Sequence, residues 1–141
     1  MWHIMLFFAL TLLSCAYALW RGGRDEKLCA WIMIAATLVT RFTVPIEYFR
    51  FYAIEPGPFV IDVAMMGALT MLALRSNRFW PLWMAGFQGY SIVAHVARIL
   101  TPTVGPKMYA IGQGLMCYPM MLLLVIAVVR HPAAREIPSA S

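Results

Sequence analysis

Charge is scarce in this sequence: only 12% of its 141 residues are Asp, Glu, Lys or Arg, and just six are acidic. A water-soluble domain carries about twice that charged fraction on its surface, so the soluble globular class is excluded. Cysteine is equally thin. Cys15, Cys29 and Cys117 share no paired spacing and have no neighbouring His or Asp, which rules out a zinc, haem-attachment or disulfide-exchange motif and leaves small apolar core residues. Paired carboxylates, a nucleophile–base pair and a glycine-rich phosphate loop are all missing; Gly112 and Gly114 follow no strand. No catalytic residues are expected, and no nucleic acid, because the net charge of +5 forms no soluble basic face.

Metal and cofactor are not expected either. The eleven methionines, Met116, Met120 and Met121 among them, are read as flexible fillers of apolar gaps. His95 stands alone in the interior of the sequence, with His3 and His131 towards the two ends, so two axial haem ligands are not at hand.

What the chain has in abundance is apolar sequence, 62% of it, with a mean hydropathy of +0.76. Five runs stand out, over about 2–20, 28–45, 59–74, 79–100 and 108–129. Most approach the roughly 20 residues that a bilayer-crossing helix needs, and the third is short. The expected fold is therefore an all-α integral membrane protein, a bundle of five transmembrane helices forming a single membrane domain over 1–141. An aromatic, proline-containing connector is expected over 46–58, and a mobile tail over 130–141. The first run lacks a preceding basic region and is expected to be a retained helix rather than a signal peptide.

Orientation follows from the basic residues, because short loops rich in Lys and Arg stay in the cytoplasm. Arg21, Arg24, Lys27, Arg75, Arg78, Arg130 and Arg135 fall at alternate helix ends. An odd number of spans then puts the N-terminus outside and the C-terminus in the cytoplasm, as in a bacterial inner membrane. Trp20, Trp31, Trp80 and Trp83 fall at the same inner interface, where indole rings anchor. Tyr48, Phe49, Phe51, Tyr52 and Tyr109 mark the outer one.

Within the runs, small residues repeat one turn apart: Ala64 and Ala68, Ala85 and Gly89, Ala110 and Gly114. Such pairs let helix backbones approach in lipid, so the third, fourth and fifth helices are expected to form the close-packed core. Pro119 should kink the fifth helix by displacing the carbonyl of Leu115.

Polar residues inside the runs are the most informative feature, since an ionisable group in hydrocarbon must face protein, water or a partner. Gln88, Ser91, His95 and Arg98 lie within about 80° of helical arc. Arg41, Asp62, Tyr109 and Gln113 fall at a similar depth on three other helices. Two readings follow. Asp62 pairs with Arg41 or Arg98 in a purely internal network, or the cluster forms a cationic pocket for an anionic lipid or small anion. Trp80, Pro81, Leu82 and Trp83 do not make the Trp-x-Pro-Pro pattern of tryptophan-rich sensory proteins, and no family resemblance is drawn.

Short loops and the absence of chemistry point first to a non-catalytic subunit or accessory protein that packs against lipid, another membrane protein or a second copy of itself. A small-molecule, anionic-lipid or ion binder or transporter using the polar cluster is the alternative, and a lipid-modifying enzyme the remote one. Labelling of single cysteines, in a background without the native three, should place a residue added after Ser141 in the cytoplasm; an external label there removes the five-span orientation.

Overall fold

The computed structural model describes residues 2–43, 56–103 and 105–135. They form helices α1 (Trp2–Arg21), α2 (Arg24–Thr43), α3 (Pro56–Arg75), α4 (Trp80–Leu100), α5 (Pro106–Leu115) and α6 (Cys117–Arg135). The described chain is all-helical, a bundle of five rods of which α5 and α6 are the two halves of the last.

Proline opens three of these helices. Pro56, Pro81 and Pro106 stand in the first turns of α3, α4 and α5, where a missing N–H costs nothing and φ is already helical. Pro119 acts differently. Its ring clashes with the carbonyl four residues back, that of Leu115, and α5 ends at Leu115 with Met116 separating it from α6. Of the connector expected over 46–58, residues 46–55 lie outside the described residues, while Pro56 to Pro58 belong to α3. The first part of the tail expected over 130–141 is helical, because α6 runs on to Arg135; residues 136–141 lie outside the described residues.

The α1–α2 turn is tight for a steric reason. A Cβ on Gly22 would stand 2.3 Å from the Ala18 carbonyl oxygen and 2.8 Å from Glu26 Cβ, so only glycine fits. The turn is tied to the α3–α4 loop by polar contacts. Arg78 Nη1 donates to Glu26 Oε1 at 2.9 Å, with the Glu26 side chain only 1% exposed, and Ser76 Oγ donates to Asp25 Oδ2 at 2.8 Å. Glu26 is also in the first turn of α2, where the helix dipole favours negative charge.

Above these loops lies the apolar core. Cys15 and Ala18 of α1, Cys29, Ala30 and Met33 of α2, Leu69 and Leu72 of α3, Met84 and Ala85 of α4, and Met120, Met121, Leu124 and Val128 of α6 are buried together. Thr11 Oγ1 donates to the Phe7 carbonyl at 2.9 Å and lies 3.7 Å from Met121 Sδ. The cysteines are free thiols, two of them fully enclosed.

Of the expected third, fourth and fifth helices, the third packs on the fourth as α3 on α4, and the fifth, which is α5 and α6 together, meets the fourth but packs as extensively on α1. The most extensive contact is α3 with α4, followed by α2 with α3, α1 with α2 and α1 with α6, while α5 touches its neighbours far less. The small residues divide accordingly. Ala85 is buried, and a Cβ on Gly89 would sit 3.6 Å from Met66 Cε of α3. Ala64 is exposed, Ala68 is partly buried, and a Cβ on Gly114 would meet nothing within 4 Å. The side chain of Ala110 lies outside what the structure describes. Spacing of four puts two residues on one face of a helix but does not say what that face meets.

Large apolar side chains cover the outside, Phe42 at 88% and Leu74 at 79% exposure among many. Two helices, Pro56–Arg75 and Lys107–Arg130, are long and apolar enough to cross a membrane. Only 11% and 28% of their apolar windows are buried in the protein, the reverse of a soluble core helix. The remaining helices do not pass that test of length and composition; α2, for one, gives its first turn to Arg24, Asp25, Glu26 and Lys27.

Gly89→Leu should lower the melting temperature of the detergent-solubilised protein by the equivalent of about 1–3 kcal/mol, an overpacking cost. Gly114→Leu, with open space before it, should change stability by less than about 0.5 kcal/mol; equal losses for the two variants would contradict this arrangement.

Candidate functional site

At the end of the bundle away from the α1–α2 turn, polar side chains from three helices meet on one carboxylate. Asp62 stands two turns into α3 and is partly buried. Gln88, Ser91 and His95 face it from the buried stripe of α4, and their spacing of three and four is what brings them onto one side. Tyr109 and Gln113, one turn apart on α5, close the group.

The contacts are specific. Gln88 Nε2 donates to Asp62 Oδ1 at 2.9 Å. Ser91 Oγ lies 2.6 Å from Asp62 Oδ2 and also faces Gln113 Oε1, two acceptors that share its single proton. Gln113 Nε2 donates to the Ser91 carbonyl at 3.0 Å, which orients the amide so that its oxygen faces the serine hydroxyl. His95 Nε2 stands 3.0 Å from Asp62 Oδ2, and Tyr109 Oη stands 2.5 Å from His95 Nδ1. With its proton on Nε2, the imidazole donates to Asp62 and accepts the phenol proton at Nδ1. Both rings flank it edge-on: Phe59 at 5.8 Å and Tyr109 at 5.5 Å between centroids.

Three side chains bonded to one carboxylate, Gln88, Ser91 and His95, explain how it is tolerated away from water. Hydrogen bonds to a charged acceptor are worth about 1.5–3 kcal/mol each, and an unsatisfied carboxylate would cost far more. The arrangement links a phenol, an imidazole and a carboxylate in series, a path along which a proton can shift by exchange of donor and acceptor roles. Ser91 bonds Asp62 and Gln113, and no bond joins it to His95 among the described residues. Among the described residues no three His, Cys, Asp or Glu groups are placed to hold a metal ion.

The two arginines expected beside Asp62 are elsewhere. Among the described residues Arg78 forms an ion pair with Glu26, and Asp62 is hydrogen-bonded by His95. Arg98 lies one turn beyond His95 near the end of α4, where its Nη1 donates to the Pro102 carbonyl at 3.1 Å. It lines a cavity of about 240 Å³ together with Tyr90, Met108, Gly112 and Tyr109. Arg41 is exposed near the end of α2 and borders a separate cleft between α1 and α2. The reason is helical phase. Histidine and two neutral side chains on α4 already occupy both carboxylate oxygens, and Arg98 at the helix end is drawn to a free carbonyl.

Of the eight polar residues singled out in the sequence, Asp62, Gln88, Ser91, His95, Tyr109 and Gln113 are brought together, and Arg41 and Arg98 are not. Phe59 was not singled out, since an aromatic in an apolar run carries no signal of its own. The Glu26–Arg78 pair was also missed, although two acidic residues in an otherwise basic loop were a readable sign. The chain matches no protein-family model, no curated protein and no solved structure at a significant level.

A double-mutant cycle on Asp62→Asn with His95→Ala should show a coupling energy of about 0.5–3 kcal/mol in thermal unfolding. The same cycle with Arg41→Met should stay within about 0.5 kcal/mol of additivity; strong coupling to Arg41 would mean that the carboxylate is held by that arginine.

Proposed function

We propose that this chain is a polytopic protein of a bacterial inner membrane, crossing it five times with the N-terminus outside, and that it works as a non-catalytic subunit or lipid-contacting accessory protein. The observation that carries this reading is the inversion of polarity between inside and outside. Buried polar groups bond to one another, from Asp62 to Gln113, while large apolar side chains face outward along the bundle. A surface of that kind is stable against lipid or a partner's helices and costly against water.

The placement of charge supports the orientation. The α1–α2 turn and the α3–α4 loop, which hold Arg21, Arg24, Lys27, Arg75 and Arg78, meet at one end of the bundle through Glu26 and Arg78. Exposed Trp20, Trp31 and Trp83 surround that end, and the Arg21 guanidinium lies 5.4 Å from the Trp20 ring. Basic residues in short loops mark the cytoplasmic side, and the indoles mark the level of a membrane interface.

A second reading, a small-molecule or ion binder, is favoured by one observation. Tyr109 belongs both to the Asp62 network and to the wall of the Arg98 cavity, so a ligand there would touch the hydrogen-bonded series.

Purification from carbonate-washed membranes in mild detergent tests both. A stoichiometric protein partner, or a defined oligomer, is expected. A monomer that instead retains a small anionic molecule, lost in Arg98→Met, favours the second reading. Release of the protein by the carbonate wash would remove both.

A further inference from the structure

Between the outer halves of α1 and α2 runs a cleft of about 200 Å³, walled by Phe8, Leu12, Ile34 and Leu38. Its two threonines contribute methyl groups only, because Thr11 Oγ1 donates to the Phe7 carbonyl at 2.9 Å and Thr37 Oγ1 to the Met33 carbonyl at 2.8 Å. The remaining lining residue is Arg41. Among the described residues its guanidinium has no hydrogen bond and no ion pair, since Asp62 is occupied by α4.

We propose that this cleft seats a segment of one acyl chain of an anionic phospholipid, with the lipid phosphate on Arg41. The inference rests on the membrane reading above. An apolar slot ending in a single cation matches the two parts of such a lipid: the slot removes a chain from mixed lipid, and a guanidinium binds phosphate oxygens in a fork. A soluble phosphate has no use for the slot, and a zwitterionic lipid brings its own cation to the arginine. Arg98, which also borders a cavity, and Arg78 differ from Arg41 in having protein partners. Arg98 is hydrogen-bonded to Pro102, and Arg78 is paired with Glu26.

The test uses the full chain, first shown to survive a carbonate wash in the membrane fraction; failure at that step removes the membrane reading itself. The protein is then placed in phosphatidylcholine nanodiscs with and without phosphatidylglycerol. Wild-type protein is expected to melt higher with phosphatidylglycerol and to carry it through gel filtration in mild detergent. Arg41→Gln should reduce that retention roughly tenfold, the loss of one charge-assisted hydrogen bond. Arg75→Gln, an exposed charge at the opposite end of α3, should leave it unchanged. Glycerol phosphate, the headgroup without chains, should give no melting shift. Leu38→Trp should fill the slot and abolish retention with Arg41 intact. Should that variant not fold, phosphatidylglycerol bearing a photoreactive group on its acyl chain is to be cross-linked to wild-type protein, with adducts expected on α1 and α2. Equal retention by Arg41→Gln, an equal loss in Arg75→Gln, a shift with glycerol phosphate, or adducts confined to other helices would each overturn the proposal.

Discussion

A carboxylate inside an apolar bundle must be given donors or be expelled, and the position of Asp62 imposes that requirement on the helices around it. Gln88, Ser91 and His95 answer it from α4, and the outer groups Tyr109 and Gln113 follow because His95 Nδ1 and the Ser91 hydroxyl need partners of their own. One acidic side chain thereby sets the rotation of α4 against α3 and recruits α5, which has few other contacts with the bundle. A shift of α4 by one residue would turn all three donors away by about 100°.

The bundle divides into two regions with different physics. Towards the α1–α2 turn, methionine, leucine and the enclosed thiols fill space without direction, and the steric demand at Gly22 together with the Glu26–Arg78 pair fixes the loops. Towards the other end, directional hydrogen bonds hold α3, α4 and α5. Methionine-rich packing tolerates changes of shape, whereas a satisfied polar network specifies one arrangement. The two cavities bordered by Arg98 and Arg41 both lie in the second region, where helices are held at points rather than along their lengths.

Much of the candidate site was legible because helical periodicity is a local property. Spacings of three and four placed Gln88, Ser91 and His95 on one stripe, and the spacing of four did the same for Tyr109 and Gln113. The partner of Asp62 was not legible. Charge alone favoured an arginine, yet which oxygen meets which donor depends on the rotation and axial shift of neighbouring helices. The same limit applies to Gly114, whose spacing from Ala110 equals that of Gly89 from Ala85 although only Gly89 faces another helix.

The sequence by itself determined the helical class, the polar stripe on α4 and the interruption near Met116, because each arises from composition or from contacts within a few residues along the chain. Tertiary structure decided that α3 packs on α4, that α6 packs on α1, that Asp62 belongs to His95, and that Arg41 is left beside an apolar cleft. Those outcomes depend on the angular settings of whole helices, which are chosen by the sum of all their contacts and are written in no single segment.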